Sequence, residues 1–229
     1  NNIIEDTGWD GMQVGITPEG CEIYGNVIRN VGLENEEFQT NGLQIGGASQ
    51  CEVWGNWLEN GPTNGMIILD GANTYVHDNV IVGFAGPGIY VNDRGNEEVA
   101  GSSYAFVHNT IADVGDNGLT LFAQTTGGHV IKNNVVVDVG GTEIAVGGGV
   151  DHESEGNMIG SGADVGFVDL AGRDFHLLED AAARDAGVDA GDYASTHDLD
   201  NVPRDEAVDV GAYEWSLEDP DPDPDPDPG

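Results

Sequence analysis

An all-β solenoid of stacked coils is the fold class that this 229-residue sequence predicts, and three observations predict it. Asparagines recur as Asn2, Asn26, Asn56, Asn79, Asn109, Asn134 and Asn157. Each except the last is followed by a strand-opening residue (Gly11, Gly42, Gly65, Gly88, Gly118, then Glu143), which gives a base period of 23 residues, with two coils carrying seven more. Short alternating apolar runs hold fixed places within that period. A unit of this length cannot bury an apolar face alone, so it must stack on copies of itself.

The elements follow in order. The pairs Met12/Val14, Leu43/Ile45, Met66/Ile68, Ile89/Val91, Leu119/Leu121 and Ile144/Val146 point inward, because side chains alternate across a strand. A second inward column lies two residues after each asparagine: Ile4, Ile28, Leu58, Ile81, Ile111, Val136 and Ile159. A third lies three residues before it: Ile23, Val53, Val76, Phe106 and Ile131. Three columns predict a three-sided coil, each turn about 4.8 Å above the last. The asparagines mark a corner, since Asn tolerates the left-handed conformation and its amide both donates and accepts.

This pattern resembles the right-handed parallel β-helix of the pectate-lyase-like superfamily, in which a stacked asparagine ladder marks one turn. The expected fold is therefore all-β: a right-handed three-sided parallel β-helix of about six to seven coils over residues 1–160. The order Ala163-Asp164-Val165-Gly166-Phe167, Asp174-Phe175-His176-Leu177 and Asp209-Val210-Gly211-Ala212-Tyr213-Glu214 resembles the C-terminal end of choice-of-anchor surface proteins. That resemblance implies a terminal coil and cap over 161–217 that closes the solenoid, and an extracellular or cell-surface setting. The alternating Asp-Pro run of 218–229 reads as a stiff extended linker, because proline fixes φ and like charges repel.

Charge is the extreme feature: six basic residues, with Lys132 the sole lysine, stand against 42 acidic ones, a net charge of −36. Such a surface repels nucleic acid and anionic lipid, so neither is an expected partner. Adaptation to high salt is the plain reading, and a surface loaded with divalent cations is the other; Glu22 and Glu52, at equivalent places on neighbouring coils, bear on both. No apolar run reaches the roughly 18 residues of a membrane span, and no signal peptide is visible. The chain opens directly at a ladder position, which leads to the expectation of upstream sequence or of another chain docked on the open coil. Cys21 and Cys51 should stack inward on adjacent coils, as buried free thiols or as an inter-coil bridge, with thiols the first reading.

Residues Leu33–Thr40 and Asp93–Ala100 are insertions that flank one sheet from opposite edges, and such loops tend to line a binding face. Between them the outward side chains Gln13, Gln44, Tyr90 and Thr120, with Asn92 and Phe122 beside them, form a strip of amides, hydroxyls and rings suited to an extended sugar chain. A second outward column, Tyr24, Trp54, His77, Val107 and Lys132, offers either a sugar platform or ordinary cross-coil packing.

The superfamily resemblance implies an acidic polysaccharide as substrate and β-elimination or C5 epimerisation as chemistry. Both reactions need a base and a group that neutralises a carboxylate. Tyr90 and Arg94 are the expected proton-transfer pair, and Asp70 and Asp93 the expected Ca²⁺ ligands. Asp151-His152-Glu153 is similar to part of the Asp-Pro-His-Glu motif of mannuronan epimerases but lacks the proline, so His152 reads as a loop histidine. Asp198-Leu199-Asp200-Asn201 begins like a calcium loop without its later Gly and Glu. Two functions stay open: a lyase-like or epimerase-like polysaccharide-active module, and a non-catalytic surface or filament subunit that assembles with copies of itself through coil ends.

Overall fold

A computed structural model describes residues 1–34, 39–94, 101–123 and 126–217. Coil 1 comprises β1 (Ile3–Glu5), β2 (Met12–Gly15) and β3 (Cys21–Tyr24); coil 2 comprises β4 (Val27–Arg29), β5 (Leu43–Gly46) and β6 (Cys51–Trp54). Coil 3 holds β7 (Trp57–Gly61), β8 (Met66–Leu69) and β9 (Thr74–His77), and coil 4 holds β10 (Val80–Phe84), β11 (Ile89–Asn92) and β12 (Tyr104–Val107). Coil 5 is β13 (Thr110–Ala112), β14 (Leu119–Phe122) and β15 (His129–Lys132); coil 6 is β16 (Val135–Val137), β17 (Ile144–Val146) and β18 (His152–Glu155), after which β19 (Met158–Gly160) opens a seventh. The first strands of the coils form sheet A, the second strands sheet B and the third strands sheet C, with seven, six and six strands. The pairing is parallel throughout the three sheets, as in Ile28 opposite Leu58, Gln13 opposite Gln44 and Glu22 opposite Glu52. The three-sided parallel solenoid is thus as expected.

The inward columns make the core. Ile28, Leu58, Ile81, Ile111 and Val136 are fully buried, as are Leu43, Ile45, Met66, Ile68, Ile89, Val91, Leu119 and Leu121. Burying each such side chain contributes about 1.5–3 kcal/mol before entropy is counted. At the corner between sheets C and A the asparagines stand in single file. Nδ2 of Asn26, Asn56 and Asn79 donates to Oδ1 of Asn56, Asn79 and Asn109 at 2.9 Å each. Asn109 and Asn134 continue the ladder to Asn157 at 3.0 and 2.9 Å. The backbone N–H of each also donates to the next Oδ1, as Asn79 does to Asn109 at 3.2 Å. The amides therefore satisfy polar groups that a sharp buried corner would otherwise orphan.

The glycine that precedes five of the six sheet B strands has a steric cause. A Cβ on Gly65 would lie 2.7 Å from the Gly88 carbonyl oxygen of the next coil, so only glycine allows that stacking distance. On sheet C, Cys21 and Cys51 are bonded as a disulfide with Cα atoms 4.5 Å apart. The bridge replaces the free-thiol reading: in-register inward strands bring the two Cβ atoms within bonding reach.

The C-terminal segment departs from an end cap. After β19 it turns back along the outside of the solenoid, forming the antiparallel hairpin β20 (Phe167–Asp169) and β21 (Asp174–Leu177). Val165, Phe167, Phe175, Leu177, Val210 and Ala212 pack on the outward side chains Val80, Val82, Ala112, Val135 and Val137 of sheet A. Farther along, Tyr75 Oη donates to the Tyr193 carbonyl and Lys132 Nζ to the Asp189 carbonyl, so the segment also covers part of sheet C. Meanwhile the last coil keeps an open edge, with Ile159 59% exposed. The segment is a strap along the flank. The centres of both insertions, residues 35–38 and 95–100, and the Asp-Pro linker of 218–229 lie outside the described residues.

Candidate functional site

Of the three outer faces, the strap covers sheet A and part of sheet C. Among the described residues nothing comparable packs on sheet B. Its strands run in register from Gln13 to Gln44, Ile67, Tyr90 and Thr120, with Leu69, Asn92 and Phe122 in the neighbouring column. These residues therefore share one side of the sheet. Gln13 is exposed and Gln44, Tyr90 and Asn92 are half-buried. Phe122 is 39% exposed, and its ring meets Tyr90 edge-on with centroids 6.2 Å apart. Thr120 differs: it is 1% exposed and its Oγ1 accepts from Asn117 Nδ2 at 3.2 Å, so its hydroxyl supports the sheet edge from beneath the surface.

Asn92 organises the centre. Its Nδ2 donates to Tyr90 Oη at 3.1 Å, and its Oδ1 accepts the Arg94 backbone N–H at 2.8 Å. This turn holds Arg94 at φ +47°, a left-handed conformation that non-glycine residues seldom adopt. From there Arg94 Nε donates to Asp70 Oδ2 at 2.8 Å, and Nη2 contacts the same oxygen. Asp70 is 5% exposed and its Oδ1 is a buried atom without a hydrogen-bond partner. Asn92 thus links the Tyr90 hydroxyl to the Arg94 backbone, and the Arg94 side chain is directed at Asp70 on the preceding coil. A guanidinium has no acceptor lone pair, so Arg94 in this arrangement is a donor and a charge. Of the two expected Ca²⁺ ligands, Asp70 faces the Arg94 guanidinium. Asp93 is fully buried one coil on, and among the described residues no group of three or more His, Cys, Asp or Glu converges.

Under this corner lie polar residues that sequence reasoning missed. Tyr104 donates from Oη to the Gly71 carbonyl at 2.8 Å, and burial, with Asp93 and Asp70 nearby, pushes its phenol up. His129 accepts the Tyr104 backbone N–H at Nδ1, 3.0 Å away, and burial pushes its imidazole down. At the opposite edge of sheet B a second ladder forms. Asn64 Nδ2 donates to Asn41 Oδ1 at 2.7 Å, and Asn41 Nδ2 donates to Asp10 Oδ1 at 3.0 Å. The signal for it is the Asx-Gly dipeptide that opens sheet B strands: Asp10-Gly11, Asn41-Gly42, Asn64-Gly65 and Asn117-Gly118.

The other candidates resolve differently. Tyr24 and Trp54 stack face to face with centroids 4.5 Å apart, and Trp54 on His77 at 5.9 Å. These ring faces are occupied by one another along the solenoid axis, so the column is cross-coil packing. His152 belongs to β18, in register with His129, and is not in a loop. In the Asp198–Asn201 turn, Asp198 Oδ1 accepts the Val202 N–H at 2.7 Å and Asp200 holds His176 at 2.6 Å, so both carboxylates serve the strap.

The family model described as right-handed β-helix region matches residues 1–166, the span of the stacked coils. The chain belongs to the right-handed β-helix family. No curated protein and no solved structure matches it. This right-handed β-helix has no helix long and apolar enough to cross a membrane among its described residues.

Proposed function

We propose that this right-handed β-helix is an extracellular polysaccharide-binding module that lays an extended glycan across sheet B. The observation that carries this reading is the division of its faces: the strap lies on sheet A and part of sheet C, while sheet B presents amides and two aromatic rings in neighbouring columns. Gln13, Gln44 and Asn92 supply amide donors and acceptors, and Tyr90 with Phe122 supplies apolar ring surface. A net charge of −36 disfavours a dense polyanion, so the favoured ligand is a glycan of low charge rather than the acidic polysaccharide that the superfamily resemblance implies. The engagement of Arg94 with Asp70 supports recognition over proton abstraction.

Affinity electrophoresis in gels containing neutral and acidic polysaccharides tests the reading. Tyr90→Ala and Phe122→Ala should each weaken retention about tenfold, the scale of a good aromatic anchor. Tyr24→Ala, on sheet C, should leave it unaltered. Retention that survives both sheet B substitutions would refute the assignment of the face. A second reading, assembly with another copy through coil ends, is favoured by the uncovered edge of the last coil. Light scattering across salt and protein concentration decides it: a constant monomer mass excludes it.

A further inference from the structure

The six basic side chains are distributed unevenly. Arg29 lies on sheet A against Glu5, and Lys132 on sheet C against Glu153. Arg173, Arg184 and Arg204 belong to the strap, paired with Glu59, Asp185 and Asp78. Arg94 alone stands at the edge of sheet B, in the turn that follows β11. It is also unlike an ordinary surface arginine. Its backbone is fixed in a left-handed turn by Asn92, and its guanidinium is anchored from one side on the buried Asp70. Its side chain is nonetheless 58% exposed, so the charge anchored on Asp70 is presented outward at the corner that follows β8 and β11.

We infer that Arg94 is a specificity-determining residue that reads a single anionic substituent, a carboxylate or sulfate, on an otherwise uncharged glycan. The inference rests on the sheet B reading above and narrows its ligand class. A guanidinium suits this task because its planar fork matches a carboxylate or sulfate with two parallel N–H donors. Asp70 is the positioning residue: it fixes the fork's direction while Asn92 fixes its height. The surrounding acidic surface sets the upper limit. One anion at Arg94 is favourable, and further anions along the chain meet repulsion. The site therefore selects sparse charge against both none and many.

The test uses matched polymer pairs: hydroxyethyl and carboxymethyl cellulose, hydroxypropyl and carboxymethyl guar, and dextran with carboxymethyl dextran, each carboxymethyl form at low and high substitution. The full chain should bind the sparsely substituted form of its best backbone about tenfold more tightly than the neutral one, the scale of one charge-assisted hydrogen-bonded contact. High substitution should reverse the preference, and added salt should shrink it. Arg94→Gln should bring the sparse-to-neutral ratio to one or below, and Arg94→Lys should retain part of it. The double variant R94Q/D70N, which leaves no buried carboxylate unpaired, should match Arg94→Gln and guards against a folding defect. A ratio of one in the wild type, or a ratio unchanged in both Arg94→Gln and the double variant, overturns the inference while leaving sheet B binding intact. Failure to bind any of the backbones, neutral or charged, removes the sheet B reading and this inference with it.

Discussion

Arg204 in the strap donates from Nη2 to Asp78 Oδ1 at 2.6 Å, with the two side chains only 1% and 2% exposed. Nη1 donates to Glu214 at 3.0 Å, and His77 Nδ1 lies 2.7 Å from the other Asp78 oxygen. Burial opposes the Asp78 charge, but Arg204 and His77 overcome it and hold the carboxyl below its usual range. Removing one partner of a buried pair leaves an uncompensated charge. Arg204→Met should therefore cost about 3–5 kcal/mol in urea unfolding, with limited proteolysis cutting the strap first. A loss below about 1 kcal/mol would show that the pair is not what holds the strap.

The asparagine ladder gives a position-dependent prediction. Asn79 Nδ2 reaches Asn109, Val53 and His77, and its Oδ1 accepts from Asn56. Asn79→Ala should cost about 3 kcal/mol or more, since each orphaned buried group costs about 1–3 kcal/mol. Asn157→Ala, at the open last coil where water can replace the amide, should cost less than half as much. Equal losses at the two positions would contradict a burial-dependent ladder.

His176 supplies a pH dependence. Burial lowers its affinity for a proton, but hydrogen bonds to Asp200 and Asp174, each at 2.6 Å, outweigh burial and raise its pKa to about 9. In the unfolded chain the value returns to about 6.5. The stabilisation is therefore complete below pH 6.5 and disappears as the pH rises through 9. Discounted for partial exposure, the loss should be about 1–2 kcal/mol between pH 6.5 and 9.5, and His176→Gln should flatten that limb. A wild-type curve that is level across this window would refute the bridged imidazolium.

The disulfide between Cys21 and Cys51 closes a sequence separation of 30 residues. By chain entropy it should add about 3–4 kcal/mol, so the Cys21→Ser, Cys51→Ser double variant should unfold at clearly lower urea. Unchanged unfolding of that variant would mean that stacking alone already fixes coils 1 and 2.

The solenoid was legible because stacking makes one requirement recur. Ile28, Leu58, Ile81 and Ile111 fill the same place at each level, and Asn26, Asn56, Asn79 and Asn109 each answer the same unsatisfied corner. The strap was harder to read because its contacts occur once each. Its signal was nevertheless present in Val80-Ile81-Val82 and Val135-Val136-Val137, where both faces of a strand are apolar and so both must be covered. At the site, alternation placed Tyr90, Asn92 and Phe122 on one face. Alternation could not show that Arg94 turns back onto Asp70, because that depends on a left-handed turn set by the Asn92 side chain.

Stacked coils on their own contact only their neighbours, so such a molecule can melt inward from an end, one level at a time. The strap changes this. Arg173 grips Glu59 in coil 3 and reaches Asp113 after β13 in coil 5, and Ala212 bonds Thr110 while Arg204 bonds Asp78. Coils 3 to 5 are thereby bound lengthwise, and no middle level can open without detaching the strap from the others. Thermal denaturation of the middle of this protein should be a single cooperative transition, with gradual fraying confined to the outermost turns.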